Sequence, residues 1–156
     1  MTGHVLPATS DRVPRQTPDE VNRRIKEATQ RSVLQAAGTG RIDARLRELE
    51  HEWDIERTLE ANASLVALIG LGLGAFVHRR FYLLPAVVAG FLLQHALQGW
   101  CPPLPVFRRL GVRTAREIDE ERTTLKALRG DFQGVPAESE PITPEQVARV
   151  LDAAAG

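Results

Sequence analysis

The chain has 156 residues and carries 20 Lys and Arg against 20 Asp and Glu, so its formal net charge is zero. This balance argues against a general nucleic-acid-binding protein, which shows a basic excess on one domain. A single cysteine, Cys101, excludes an intramolecular disulfide and a cysteine-built metal site, and the four histidines lack metal-ligand spacing, so we expect neither a metal nor a cofactor.

Residues 1–16 are polar and contain two prolines, a composition typical of a disordered arm. The first seven residues have neither the basic nor the apolar region of a signal peptide, so we expect no cleavable leader. Membrane insertion would then have to be directed by an apolar segment further along the chain.

Residues 17–60 are predicted to form cytoplasmic helices. The first begins at Thr17-Pro18-Asp19-Glu20, where Thr17 and Glu20 can form a capping box and proline is tolerated at the first helical position. Gly38 is a natural end for this helix.

A second helix is predicted from Ile42, with Ile42, Leu46, Leu49 and Trp53 along one narrow apolar seam. The seam either packs against another helix of the protein or lies on the membrane surface. The many carboxylates around it favour helix packing, because they disfavour contact with anionic lipid. Nothing in the sequence breaks this helix before residue 61, so we expect it to continue into the apolar segment that follows.

Two apolar segments, residues 61–77 and 81–97, contain no Lys, Arg, Asp or Glu and are separated only by His78-Arg79-Arg80. Each is 17 residues long, the lower end of what a helix needs to cross a bilayer. The predicted fold class is therefore all-α: a two-helix transmembrane hairpin over residues 61–100, flanked by cytoplasmic amphipathic helices. The alternative is that the hairpin is the buried core of a soluble helical protein.

Small residues recur at four-residue spacing in both spans, as Gly70 and Gly74 in the first and Ala86 and Gly90 in the second. Such pairs allow two helix backbones to approach closely in lipid. They indicate helix packing, either within the hairpin or between two copies of the chain.

A few polar residues lie at one membrane edge of the hairpin, in the first turns of one span and the last turns of the other: Asn62, Ser64, Gln94, His95 and Gln98. Water or lipid headgroups can satisfy them there, although polar groups in a span are a functional signal. The other interpretation is an interhelix polar contact, within the hairpin or between protomers.

Residues 101–113 form a proline-rich loop that we expect to lie at the membrane interface. A capping box of Thr114 and Glu117 predicts an amphipathic helix over residues 114–130. A linker and a short C-terminal helix are predicted over residues 131–156.

The arginines predict the orientation of the hairpin. Near the spans, four arginines lie in the N-terminal flank, four in the C-terminal flank and two, Arg79 and Arg80, in the turn, so both termini are expected to be cytoplasmic. Aromatic and basic residues near the ends of the spans are predicted interface anchors: Arg79, Arg80, Tyr82, Trp100, Arg108 and Arg109.

The segment 57–114 resembles the YgaP-like transmembrane family, a two-helix bacterial inner-membrane domain of unknown function. The resemblance is carried by Gly70-Leu71-Gly72-Leu73-Gly74, the short turn, Cys101-Pro102 and Leu110-Gly111. It implies a bacterial inner-membrane location. Some members carry a rhodanese domain before the hairpin, but the region before residue 57 is too short for that fold and has no cysteine. Sulfurtransferase activity is therefore not implied.

Cys101 is the only candidate nucleophile. It follows a helix C-terminus, where the helix dipole disfavours a thiolate, so a structural thiol is the simpler interpretation. We expect a structural or protein-interaction role for this chain, with the bilayer and either a second copy or another membrane protein as partners. The alternative function is an accessory role in sulfur or redox handling through Cys101.

Overall fold

The computed structural model describes residues 8–133 and 144–155, which are helical or lie in turns and short connections. The helices are α1 (Thr9–Arg12), α2 (Asp19–Gly38), α3 (Ile42–His51), α4 (Ile55–Phe76), α5 (Leu83–Gln98), α6 (Leu104–Arg109), α7 (Ala115–Arg129) and α8 (Pro144–Ala155). The predicted all-α class is confirmed for this part of the chain.

The chain divides into two compact units. The first contains the described residues of 1–28 together with residues 52–118, and the second those of 29–51 and 119–156. In the first unit a small apolar core is formed by Val13, Ile55, Leu59, Cys101 and Leu104.

Two helices, the one ending at Phe76 and the one ending at Gln98, are long and apolar enough to cross a membrane. They pack against each other and are joined by a 3₁₀ turn at Arg79–Tyr82. The His78 ring Nδ1 accepts from the Arg80 amide at 3.1 Å and so starts this turn. We call α4 and α5 the apolar helix pair.

Two of the predicted packing glycines lie at the contact within this pair. Gly70 and Gly74 are buried. A Cβ added to Gly70 would lie 2.7 Å from Cδ of Pro85, and one added to Gly74 would lie 2.6 Å from the Tyr82 ring. Close approach therefore requires glycine at both positions.

The second pair of small residues does not share this role. Ala86 and Gly90 are exposed, and no atom lies within 4 Å of a Cβ added to Gly90. Within the chain, the contact is built from small residues on one helix and larger side chains, including Tyr82, Leu84 and Pro85, on the other.

The disordered arm predicted over residues 1–16 is corrected for residues 8–16. They form α1 and a 3₁₀ turn at Pro14–Gln16, and the Val13 side chain is fully buried in the core of the first unit. The arm is ordered by this burial and by two long-range bonds, in which Asp11 accepts from the Arg116 guanidinium and Arg12 donates to the Leu97 carbonyl. Residues 1–7 lie outside the described part of the chain.

The predicted continuous helix from Ile42 into the first span is also corrected, because α3 ends at His51 and α4 begins at Ile55. Asp54 adopts an extended conformation and caps α4 by accepting from the Arg57 amide at 2.7 Å. Trp53 therefore falls in the break, half exposed, with the Arg57 guanidinium 4.5 Å from its ring centroid.

Along the chain, α2 and α3 come before the apolar helix pair, and α7 and α8 come after it. Leu46 and Leu49 of the α3 seam are buried in the second unit, and α7 starts one residue after Thr114. The proline-rich segment 101–113 contains the short helix α6, which was not predicted. The predicted linker lies mostly at 134–143, outside the described residues.

Substitution of Gly74 by Ala is expected to lower the free energy of unfolding by about 1–3 kcal/mol, because the added methyl overlaps the Tyr82 ring. The matched control is Gly72→Ala in the same helix, where nothing lies within 4 Å of the new methyl. Its effect should be neutral or slightly stabilising, since alanine favours helix. Thermal unfolding in detergent, followed by circular dichroism, measures the stability of both variants. An equal loss of stability in Gly74→Ala and Gly72→Ala would contradict the close contact at Gly74.

Candidate functional site

The guanidinium of Arg108 on α6 is fully buried in the first unit and has a hydrogen-bond partner for every N–H group. Its Nη1 and Nη2 donate to the two carboxylate oxygens of Glu117 at 2.7 and 2.8 Å. The three remaining N–H groups bond the Asn22 side chain at 3.0 Å, the Thr17 hydroxyl at 3.2 Å and the Val112 carbonyl at 3.0 Å. All five donors of an arginine are thus satisfied. We call these five residues the Arg108 cluster.

Glu117 holds this cluster to the start of α7. One carboxylate oxygen also accepts from the Thr114 amide at 2.8 Å, while the Thr114 hydroxyl accepts from the Glu117 amide at 3.2 Å. This is the predicted capping box. Burial alone would raise the pKa of Glu117, but hydrogen bonds from Arg108 and Thr114 outweigh it and hold the pKa below its ordinary value.

Thr17 has a different role from the predicted one. Its hydroxyl donates to the Val13 carbonyl at 2.8 Å and accepts from Arg108. The Asn22 amide donates to the Pro14 carbonyl at 2.8 Å. The start of α2 is therefore fixed by the Arg108 cluster.

The break before α4 is fixed by a second buried arginine, Arg113. Its guanidinium binds Glu52 through two hydrogen bonds of 2.7 Å, and its carbonyl accepts from the Ile55 amide at 2.8 Å. Bidentate pairs of this kind fix orientation as well as distance. The residues that interrupt the helix are thereby held against the segment that precedes α7.

The C-terminus of α5 is capped by Arg12 of the N-terminal arm. The Arg12 guanidinium donates to the carbonyls of Ala96 and Leu97 at 2.7 and 2.6 Å, groups that have no partner inside the helix. The chain then turns at Gly99, whose φ of 75° favours glycine and whose Cβ, if present, would lie 2.6 Å from Cβ of Arg12.

Cys101, the candidate reactive thiol, lies in the apolar core and is only 3% exposed. Burial raises the pKa of the thiol, which disfavours the thiolate. Cys101 also lines an apolar cavity of about 270 Å³ between the helix pair and α6. The structure brings Cys101 together with Asn62 at this cavity, but with none of the other predicted site residues.

The polar residues predicted to pair across the hairpin are dispersed. The Asn62 amide donates to the Thr58 carbonyl, one turn earlier in its own helix, at 2.7 Å. Ser64 and Gln98 are exposed and Gln94 is half-buried. His95 was expected near water or headgroups but is 6% exposed, and neither ring nitrogen has a hydrogen-bond partner within the described residues.

The predicted interface anchors differ in how exposed their side chains are. Arg79, Arg80 and Arg109 are exposed, as a headgroup contact requires. Trp100 packs partly against the apolar core, and the Tyr82 ring faces Gly74 while keeping 45% of its surface exposed. Arg108 is corrected: its buried pair with Glu117 makes it a structural residue that headgroups do not reach.

Sequence analysis missed the roles of Arg12 and Glu56, which are half-buried in the structure. Arg12 lay in the predicted arm, and Glu56 lay on the charged surface of a predicted helix. Both carboxylate oxygens of Glu56 are buried without a hydrogen-bond partner among the described residues, and this burial raises its pKa. The position of Glu56 five residues before the apolar segment was the one available signal, because it brings a carboxylate close to apolar surroundings.

The second unit has its own buried carboxylate, Glu121 of α7. It accepts from the Ser32 hydroxyl at 2.6 Å and from the Arg45 Nε at 2.8 Å. Arg129 of the same helix pairs with Asp43 of α3. The charged faces of α3 and α7 are therefore partly engaged with each other within this unit.

These hydrogen bonds and ion pairs fix the starts of α2 and α7, the break before α4 and the end of α5. Across residues 8–133 and 144–155, no group of three or more His, Cys, Asp or Glu is placed to hold a metal ion. Comparison with known family models, curated proteins and solved structures gives no match to this chain. The site must therefore be interpreted from its own geometry.

Glu117→Gln leaves the Arg108 charge buried without its counter-ion, so it is expected to lower the free energy of unfolding by about 3–5 kcal/mol. The pKa of Glu117 is lower in the folded chain. The contribution of Glu117 to the free energy of unfolding is therefore fully present above pH 4.5, its ordinary pKa. It is lost as the pH falls through the lower pKa of the folded chain. Chemical denaturation between pH 7 and pH 3 should show this acid dependence in the wild type and a weaker one in the variant. The exposed carboxylate of Glu120 supplies the control, Glu120→Gln, and an equal loss there would contradict the assignment.

Cys101 is expected to react with a membrane-impermeant maleimide at pH 7 at least about tenfold more slowly than an exposed thiol, because it is buried and protonated. The exposed comparison is Leu110→Cys, made in a Cys101→Ser background, since Leu110 is 74% exposed. The rate should rise with pH above the ordinary thiol value of 9.0 and on denaturation. Rapid labelling of the folded protein at pH 7 would instead favour the redox alternative.

Proposed function

We propose that this chain is a small integral membrane protein with a structural or protein-interaction role. The observation that carries the proposal is the large apolar surface that the helix pair leaves uncovered. Exposed large side chains follow both helices, among them Leu65, Leu68, Ile69, Leu71, Phe76, Leu83, Val87 and Leu93. Soluble proteins rarely expose contiguous apolar surface on this scale, whereas lipid tails cover it at no cost.

The low burial of both helices supports this proposal over a soluble helical core. A core helix is buried on most of its surface. Here only 17% of the 18-residue apolar stretch of the first helix is buried, and only 6% of that of the second. The apolar core of the first unit lies elsewhere, around Val13, Ile55 and Leu104. Lipid is the solvent that fits the remaining surface.

The proposed location is a bacterial inner membrane, with both termini in the cytoplasm. The positive-inside rule supports this orientation, since the flanks carry more arginines near the apolar segments than the turn does. The exposed side chains of Arg57 and Arg109 suit the cytoplasmic headgroup region, and those of Arg79 and Arg80 suit the opposite one. Membership of the YgaP-like family belongs to this proposal, on the motifs quoted above.

The interaction role rests on exposed faces of α8 and of α5. In α8, Val147 and Leu151 lie four residues apart on one face and are 45% and 63% exposed. In α5, Ala86 and Gly90 lie on an exposed face where another helix can approach closely. The proposed partners are the bilayer, together with a second copy or another membrane protein. The burial of Cys101 gives no support to the sulfur or redox alternative.

Alkaline carbonate extraction of cell membranes tests the location. The protein is expected in the pellet, because peripheral proteins are released and spanning helices are not. A C-terminal green fluorescent protein fusion should be fluorescent, and alkaline phosphatase inserted after Arg80 should be active. Release of the protein into the supernatant would contradict the membrane proposal. A dark green fluorescent protein fusion together with an inactive alkaline phosphatase would contradict the orientation alone.

A further inference from the structure

The cavity of about 270 Å³ beside Cys101 has walls from two parts of the first unit. The apolar helix pair provides one wall, through Ala63, Val66, Val88, Phe91 and Leu92. The segment around α6 provides the other, through Cys101, Pro103 and Phe107. The cavity therefore lies where the proposed spans meet the chain that follows them.

The residues that line the cavity favour an apolar ligand. Leu59 and Asn62 complete the set of lining residues, and no ionisable carboxylate, lysine, arginine or histidine is among them. The Asn62 amide already donates to the Thr58 carbonyl, and the Cys101 thiol is protonated at neutral pH. A cavity of about 150 Å³ lined by apolar side chains holds a benzene-sized ligand, so this one has room for a longer hydrocarbon segment.

The position of the cavity identifies the source of that hydrocarbon. Val66 and Phe91 line the cavity and are each also 39% exposed, so they connect it with the outer apolar surface of the helix pair. Phe107 lines it from α6, outside the two apolar helices. An apolar cleft that joins the lipid-facing surface matches the acyl chain of a phospholipid.

We propose that this cavity binds one acyl chain of a phospholipid from the surrounding bilayer. The inference rests on the proposed membrane location and adds a defined lipid site to it. Helix α6, held by the buried Arg108, forms the wall of this site that lies outside the spans.

The test uses the full chain reconstituted in phosphatidylethanolamine and phosphatidylglycerol vesicles that contain a phosphatidylglycerol with a diazirine in one acyl chain. After irradiation, peptide mass spectrometry maps the crosslinked residues. Cys101 decides the result, because its side chain is 3% exposed and a crosslink there reports the cavity rather than the outer surface. Crosslinks are expected at Cys101 and Phe107 as well as on the exposed faces of the helix pair.

Ala63→Phe fills the cavity and should reduce the crosslinks at Cys101 and Phe107 by about tenfold, the change expected when about two methylene groups lose their apolar contacts. The matched control, Ala89→Phe, places the same side chain on an exposed position of α5 and should leave those crosslinks unchanged. If Ala63→Phe fails to fold, Val88→Phe fills the same cavity from the other helix.

The outcomes separate this inference from the proposed function. Crosslinks on the outer faces of the helix pair, with none at Cys101 or Phe107, would overturn the acyl-chain site and leave the membrane location standing. An equal loss of the crosslinks at Cys101 and Phe107 in Ala63→Phe and Ala89→Phe would also overturn the acyl-chain site. An absence of crosslinks anywhere on the helix pair would contradict the membrane location itself.

Discussion

The side chain of Arg108 has every N–H donor bonded inside the first unit, to groups from three separate stretches of the chain. Removing a guanidinium from water costs several kcal/mol, and only complete hydrogen bonding with a paired carboxylate offsets that cost. The requirement fixes the start of α2 through Thr17 and Asn22, and the start of α7 through Glu117. The short helix α6 is held as well, because it carries Arg108.

Two further arginines repeat this use of charge around the apolar helix pair. Arg113 holds Glu52 before α4, and Arg12 caps the carbonyls at the end of α5. The outer ends of both apolar helices are thus fixed by bonds from elsewhere in the first unit. The apolar surface of the pair needs no polar partner of its own, which is the condition for placing it in lipid.

Features decided by neighbouring residues could be predicted from the sequence. The capping box of Thr114 and Glu117 depends on residues three apart, and the glycines at 70 and 74 on a four-residue repeat. The two apolar stretches follow from composition alone. The two ends of α2 were predictable for the same reason, since Thr17-Pro18 and Gly38 are local signals for the start and end of a helix.

Features decided by distant contacts could not be predicted in the same way. The arm at residues 8–16 is ordered because Val13 enters a core built from later residues and because Arg12 reaches carbonyls 84 and 85 positions away. The break at residues 52–54 depends on a bond from Arg113, 61 positions away. Arg108 looked like a headgroup anchor beside Arg109. Only the fold shows that one of the two neighbours is buried and the other exposed.

The proposal that lipid surrounds the apolar helix pair is tested most directly by spin-label accessibility in vesicles. Single cysteines replace Arg80, Ala89 and Leu97, in a Cys101→Ser background, and each carries a nitroxide; all three positions are exposed in the structure. If the pair spans a bilayer, the ratio of oxygen to water-soluble nickel-chelate accessibility is highest at position 89 and falls toward positions 80 and 97. A nickel-chelate accessibility at position 89 equal to that at position 80 would show that water covers this surface, and would contradict a transmembrane location.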